Sequence, residues 1–367
     1  MNIQISKEIL LPALTNVCGI VEKRQTLPIL GNVYLKSFNN ELILIGSDLE
    51  TEITTIVNNV IAVDGETTVS AKKFFDICRS LKDESLVNIN LDDNKMLVTS
   101  GKSRFSLQTL PAKEYPRLEK SENNIYLSIS QKDLSMLLSS TSYAMAQQDV
   151  RYFLNGLLFE IGEGQIRVVS TDGHRLAKNQ ISYSAATGDI KQSIIPRKAV
   201  QEILKFLDAN SEDSVEIGIN NSHINIKSDN YQFISKLIDG RYPEYQKVIP
   251  NNLDKTVILD KNIFSEILSR TAILSNEKFR GISVAFNSGS LVVTSRNPDH
   301  EEASDEMAID YQGESIEIGF NVNYLLDAIR GCDTETVQFE FKDSSSSGII
   351  RESNISEKIA LIMPMRI

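Results

Sequence analysis

Three histidines and three cysteines are all that this 367-residue chain offers to imidazole or thiol chemistry. His174, His223 and His300 are scattered along the chain, so the close ligand spacing of a zinc site is missing. Cys18, Cys78 and Cys332 show no paired spacing and fall within helical patterns, which predicts small core or near-core residues of a reduced cytosol rather than disulfides. No run of about 18 apolar residues occurs, so no helix is expected to span a membrane. Met1-Asn2-Ile3-Gln4 leads into a strand pattern without a cationic or apolar leader region, so no secretory signal is expected and the predicted location is cytoplasmic. Cations are in deficit: 38 Lys and Arg against 49 Asp and Glu give a net charge of -11, which argues against a chain coated in nucleic acid. A single basic face stays compatible with that sum, because the placement of charge matters more than its total. No serine, cysteine or lysine nucleophile has a base beside it in a recognisable motif, and no cofactor or metal is expected.

What the chain has is repetition. Four residues after Ser6, Ser130 and Asp260 stand Leu10, Leu134 and Phe264; seven after stand Ala13, Leu137 and Ile267; eight after stand Leu14, Leu138 and Leu268. Three helices therefore share one apolar face. Phe74, Ile77, Cys78 and Leu81 match Val200, Ile203, Leu204 and Leu207, and again Val322, Leu325, Leu326 and Ile329. Gly31, Gly156 and Gly281 each precede an alternating strand, and the following pairs close through turns at Asn39-Asn40, Gly162-Glu163-Gly164 and Ser288-Gly289. The separations Ser6 to Ser130 and Ser130 to Asp260 are 124 and 130 residues, so the chain reads as three copies of one domain.

In the first copy the pattern predicts an edge-like strand from Ile3 to Ile5, a helix from Lys7 to Val21, sheet through Glu52 to Val63, and a helix from Lys72 to Leu81 capped by Ser70. Each copy runs strand, helix, three strands, then the same again, which makes it a doubled half with one helix and one small sheet per half. The polar stretches Glu119 to Asn124 and Pro250 to Asp254 divide the copies, giving expected domains at 1–120, 125–250 and 255–367. The predicted class is α+β. Six such halves, joined edge to edge, form a curved array with helices on one side, and symmetric self-association into a ring leaves no sheet edge open. Lys23, Arg24, Lys72, Lys73, Arg79, Lys82, Arg197, Lys198, Lys205, Lys261, Lys278, Arg280 and Arg330 lie in or beside these helices, so the inner wall is expected to be cationic.

At Gln25-Thr26-Leu27-Pro28-Ile29-Leu30, Thr171-Asp172-Gly173-His174-Arg175-Leu176, Asp239-Gly240-Arg241-Tyr242-Pro243-Glu244-Tyr245, Ile273 to Gly281, Gly319-Phe320-Asn321-Val322 and Met363-Pro364-Met365-Arg366-Ile367, the chain resembles the bacterial sliding clamps, the beta subunit of DNA polymerase III. The resemblance covers the entire chain. It implies three DNA-clamp domains with helices lining the inside of a ring and sheets outside, a head-to-tail homodimer around duplex DNA, and no sequence preference. It further implies a groove between the second and third domains for a short peptide of the DNA polymerase III alpha subunit, the clamp loader, and other polymerases and repair proteins. Carried onto matching positions, the groove takes Leu154, Thr171, Gly173, His174, Arg175, Leu176, Pro243, Val248, Phe279, Asn321, Tyr324, Met363, Pro364, Met365 and Arg366. Apolar and methionine side chains suit an adaptable cleft, with Arg and His as rim donors to a glutamine or carboxylate.

For DNA the resemblance implies Arg24, Gln148 and Tyr152, joined by the helix cations Lys72, Lys73, Arg197 and Lys198. Phe153 stands where the family often has a second tyrosine, and Ser345 and Ile367 also depart from some relatives. The dimer interface is expected to set Lys102, Arg104 and Phe105 of one protomer against Arg270, Ile273, Leu274 and the acidic run Glu301, Glu302, Asp305 and Glu306 of the other. Two rivals remain: an enzyme with a site at Asp172 and His174, and a repeat scaffold that binds peptides but not DNA. Gly101-Lys102-Ser103 is no phosphate loop, since Met96 occupies the position of the required first glycine.

Overall fold

The structure is a computed structural model and describes residues 1–21, 27–58, 60–118, 122, 125–352 and 355–366. The first copy runs β1 (Asn2–Ser6), α1 (Lys7–Cys18), β2 (Asn32–Phe38), β3 (Glu41–Ser47), β4 (Thr51–Val57), a short β5 (Ile61–Val63), β6 (Gly65–Ser70), α2 (Ala71–Ser80), β7 (Leu86–Asp92), β8 (Lys95–Ser100) and β9 (Ser103–Leu110). The second runs β10 (Ile125–Ser130), α3 (Gln131–Ser142), β11 (Gly156–Gly162), β12 (Gln165–Thr171), β13 (Arg175–Ser182), β14 (Lys191–Pro196), α4 (Arg197–Phe206), β15 (Ser214–Ile219), β16 (His223–Lys227) and β17 (Tyr231–Lys236). The third runs β18 (Lys255–Asp260), α5 (Lys261–Thr271), β19 (Gly281–Asn287), β20 (Ser290–Arg296), β21 (Glu302–Ala308), β22 (Ile316–Asn321), α6 (Val322–Arg330), β23 (Thr336–Phe341), β24 (Gly348–Glu352) and β25 (Ile355–Ile362). Apart from β5, every copy is strand, helix, three strands, twice over.

The apolar spacing sets the buried helix faces. Leu10, Ala13 and Leu14, then Leu134, Leu137 and Leu138, then Phe264, Ile267 and Leu268 are all buried, and each large side chain contributes about 1.5–3 kcal/mol by leaving water. The Asp260 carboxylate accepts from Ile263 N at 2.9 Å to start α5, and the Asn321 side chain accepts from Asn323 N and Tyr324 N to start α6. Asn39 and Asn40 turn β2 into β3 with φ of 51° and 61°, the left-handed pair that a type I′ hairpin requires. Helix α1 ends at Cys18 rather than at the expected Val21, with Gly19 as its C-cap. Cys332 lies beyond α6 rather than within it. Burial pushes the Cys18 and Cys78 thiols up to about 12 and that of Cys332 to about 11, so all three are protonated at neutral pH.

The halves are not self-contained, contrary to the expectation of one small sheet per half. In each copy the two halves exchange their first strands: β1 pairs with β7, β10 with β15 and β18 with β23, while β6 pairs with β2, β14 with β11 and β22 with β19. Strand β1 is also not an edge, because β5 covers its other side. A half that has given away its first strand cannot close its own sheet.

Two compact units result, one from Met1–Lys132 with Gln201–Leu237 and one from Asp133–Val200 with Ile238–Ile367. In the first, thirteen strands run in the order β10-β15-β16-β17-β4-β3-β2-β6-β9-β8-β7-β1-β5. Strand β17 joins β4 there, with Phe233 opposite Ile53, so the second half of copy two continues the sheet of copy one. In the second unit, β14-β11-β12-β13-β25-β24-β23-β18 form one sheet and β21-β20-β19-β22 another. Strand β13 meets β25 with Leu176 opposite Leu361. The core of this unit's third-copy portion is aromatic, with Phe286 stacked on Phe341 at 4.1 Å.

Candidate functional site

The corner between β12 and β13 is built by its own side chains. Asp172 Oδ1 accepts from His174 N at 2.9 Å and Arg175 N at 3.1 Å, an Asx-type turn. Thr171 Oγ1 accepts from Gly173 N at 3.1 Å and donates to Arg175 O at 2.6 Å. Gly173 has φ of 89°, and a Cβ there would lie 2.9 Å from Arg151 Nη1, so both backbone and space call for glycine. Arg151 itself is clamped by Asp149, at 3.0 Å to Nε and 2.8 Å from Nη2, and donates to Asp172 O at 3.0 Å. The Arg151 hydrogen bonds hold the Asp149 carboxyl down at about 2.

Beside this corner opens a cavity of about 190 Å³. Leu154, Thr171, Gly173, Arg175, Leu176, Pro243, Val248 and Met363, all expected in the groove, line it. Arg151, Glu244, Tyr245 and Leu361 line it as well and were missed. Three of these had a signal: Glu244 and Tyr245 sit inside the Asp239 to Tyr245 motif, and Leu361, near the end of β25, stands two residues before Met363, the spacing that puts both on one face of extended chain. Val248 and Met363 are 46% and 37% exposed, so the cavity carries water-facing apolar surface.

A second cluster adjoins the first through Arg175. Its guanidinium lies 4.4 Å from the Tyr324 ring centroid and donates to Asp172 Oδ2 at 3.0 Å, Asp327 Oδ2 at 2.7 Å and Tyr143 O at 2.7 Å. Arg175 was expected as a free rim donor; instead three of its N–H groups are spent within the chain and it acts as a wall. Tyr324 follows Asn321, whose Nδ2 donates to Phe279 O at 3.2 Å. Phe279 is 57% exposed. Met363 N donates to His174 O at 2.9 Å and Met365 N to Gly319 O at 2.8 Å, which holds Pro364 and Met365 along this cluster. The His174 side chain is exposed on the turn, and Arg366 is exposed beside Met365. Ser345 lies apart, in the hairpin capped by Asp343, and Ile367 falls outside the described residues.

The expected DNA contacts divide. Lys72 and Lys73 on α2 are exposed, as are Gln148, with φ of 57°, and Tyr152. Arg197 and Lys198 are only half-buried rather than exposed, because they start α4 against the chain: Arg197 Nη1 donates to Met145 O at 2.7 Å. Arg79, Lys205 and Arg330 pair with Asp76, Glu202 and Asp327, so part of the expected cationic wall is already neutralised, while Lys261 keeps its charge and donates to Cys332 O. Arg24 and Lys23 lie outside the described residues.

At the expected protomer interface, Lys102 and Arg104 are exposed and Phe105 half-buried on β9. Ile273 is 77% exposed on a short 3-10 turn with Leu274. The acidic run is less free than its composition implies. Arg270 binds Asp305 at 2.6 Å and Arg296 binds Glu302 at 3.0 Å, leaving Glu306 and Glu301, the latter held by Asn297. The bond from Arg270 holds the Asp305 carboxyl below its ordinary range.

The chain matches three families, described as the N-terminal domain of the DNA polymerase III beta subunit over residues 1–119, its central domain over residues 128–244 and its C-terminal domain over residues 246–366. The chain belongs to the DNA polymerase III beta subunit family. It is 44% identical over 368 residues to the beta sliding clamp of Pseudomonas putida and 40% identical over 371 residues to that of Escherichia coli, with 100% of both chains covered in each case. Among solved structures, a DnaN sliding clamp from Pseudomonas aeruginosa bound to griselimycin matches with a TM-score of 0.96 at 43% identity, and the Caulobacter crescentus pol III beta with 0.92 at 32%, each over 100% of both chains. The fold is therefore the three-domain DNA clamp, and the protein is a sliding clamp of DNA polymerase III by family.

Proposed function

We propose that the protein closes as a head-to-tail homodimeric ring around duplex DNA, with helices inside and sheets outside, and tethers its partners by enclosure rather than by catalysis. The observation that carries this reading is family membership over the whole chain, in three consecutive clamp domains, for which we propose boundaries at 1–120, 125–250 and 255–367. Two sheet edges support closure. Strand β9 has β8 as its partner along Ser103–Gln108, with β6 reaching only Thr109 and Leu110, and β21 pairs with β20 alone among the described residues. Edges of this kind attract a strand from another chain. Lys102 beside β9 and Arg104 on it oppose Glu301 beside β21 and Glu306 on it in sign, and Ile273 supplies apolar contact area.

The apolar cavity and the Phe279 cluster are proposed to take a short peptide of the DNA polymerase III alpha subunit, the clamp loader, or other polymerases and repair proteins. Water-exposed Val248, Phe279 and Met363 would be covered by it. Lys72, Lys73, Gln148, Tyr152, Arg197, Lys198 and Arg24 are proposed to meet phosphates without reading bases. An enzyme centred on Asp172 and His174 is disfavoured, because both Asp172 oxygens are engaged by backbone N–H groups and Arg175. Cytoplasmic location follows from the proposed replication role.

The test is retention. Protein loaded on nicked circular DNA should stay bound at salt that strips ordinary phosphate binders and leave once the circle is cut; equal loss from circular and linear DNA refutes enclosure. A monomeric mass in solution would instead favour a scaffold that binds peptides without DNA.

A further inference from the structure

The strands that carry the apolar cavity also carry a row of cations a few residues further along. On β12 the face that presents Thr171 presents Arg167; on β13 the face of Leu176 presents Lys178; on β25 the face of Leu361 presents Ile359. Pairing aligns these steps, since Val169 lies opposite Lys178 and Lys178 opposite Ile359. Strand β24 adds Arg351, and the segment from Tyr245 to Leu253 walls the row off into a second cavity of about 530 Å³. Tyr245 lines both cavities.

The three cations differ in what they bind. Arg167 is engaged with Glu160 at 3.0 Å, Gln180 at 3.0 Å, Gln165 at 2.9 Å and the Tyr245 hydroxyl at 3.2 Å. Arg351 holds Glu340 Oε2 at 3.1 Å, while Glu340 Oε1 accepts from Gln338 at 2.8 Å, so that carboxylate is taken. Lys178 is half-buried, and among the described residues its side chain makes no hydrogen bond or ion pair. Burial, then Arg167 and Arg351, push its ammonium below the ordinary lysine range, against a weaker pull from Glu357 and Glu160. A half-buried ammonium beside two guanidinium groups, with Glu357 and Glu160 near but neither within ion-pair distance, leaves a place for an anion in direct contact.

We propose that this cavity is an oxyanion site, in which a carboxylate or phosphate sits on Lys178 Nζ and is flanked by Arg167 and Arg351. The oxyanion has two possible sources, a free anion or an acidic side chain of a segment whose apolar part occupies the neighbouring cavity. Two residues along a strand advance about 6.6 Å, so an acidic group two or three residues past an apolar anchor matches the offset between the two cavities. The second source rests on the groove reading above; the first does not.

Inorganic phosphate is titrated into the full-length protein carrying ¹³C-methylated lysines, with Lys178 assigned by its loss in Lys178→Met. The Lys178 signal should titrate below the other lysines in chloride and move upward saturably in the millimolar range or tighter, because a bound anion favours the charged amine. Lys178→Met should abolish phosphate binding measured by calorimetry while Lys178→Arg keeps it. An acetylated peptide amide with two leucines, two glycines and a glutamate is compared with its glutamine counterpart. Roughly tenfold tighter binding of the glutamate form, lost in Lys178→Met, assigns the site to peptide; equal binding with phosphate affinity intact assigns it to a free anion. Binding of neither peptide would count against the groove alone. No saturable phosphate response at Lys178, or calorimetric phosphate binding unchanged in Lys178→Met, overturns the oxyanion site.

Discussion

Arg175→Met tests whether this arginine holds the candidate site together or merely borders it. The substitution keeps most of the side chain's length and removes its bonds to Asp172, Asp327 and the Tyr143 carbonyl, together with the stacking on Tyr324 at 4.4 Å. A hydrogen bond to a charged group contributes about 1.5–3 kcal/mol, but the three share one guanidinium and are not additive. Asp327 is 30% exposed and keeps Arg330 at 3.8 Å, so water and a second cation offset part of its loss. Asp172 keeps its two backbone donors. The net cost is therefore about 3 kcal/mol, which in a unit of about 200 residues lowers Tm by about 6–12 °C. Calorimetry on Arg175→Met and Arg175→Lys checks this, with Lys expected to recover less than half because an ammonium cannot reproduce the planar fork. Affinity for a groove-binding peptide should fall in parallel. A Tm within about 2 °C of the parent, with peptide affinity alone reduced, would refute the wall role and restore that of a rim donor.

Ile273→Asp should shift the protein toward monomer in sedimentation without lowering monomer Tm, since the side chain is 77% exposed in the single chain; an unchanged dimer places the interface elsewhere. Phe279→Ala, or removal of residues 363–367, should weaken peptide binding at least about fivefold with dimer mass kept; retained affinity would mean that the groove is misplaced. The Asp149 carboxyl, held at about 2 by Arg151, is lowered relative to an unfolded value near 3.8. Its contribution to stability is thus present above about pH 4 and disappears as pH falls toward 2. Asp149→Asn should lower Tm at neutral pH, and the gap from the parent should narrow across that window; a constant gap excludes this linkage.

Helix faces were legible because period 3.6 is a local property: Leu10, Leu134 and Phe264 at matched positions need no knowledge of what covers them. The corner from Thr171 to Leu176 was legible for the same reason, as its side chains satisfy their own backbone. Arg151 was not, because its place in the site depends on Asp149 fixing its rotamer and on Gly173 leaving room. The acidic run near β21 misled in degree, since composition counts Asp305 and Glu302 as free while Arg270 and Arg296 bind them.

The amino-acid order by itself determined the tripled strand-helix-three-strand pattern, the buried stripe of each helix and the polar corner of the site, all of which rest on interactions within a few residues. Tertiary structure alone decided that the halves of each copy trade first strands, that β17 joins β4 and β13 joins β25, and that Arg175 faces inward to Asp327. Strand pairing depends on backbone hydrogen bonds that any sequence can make, so its partners are chosen by which edges the packed helices leave open.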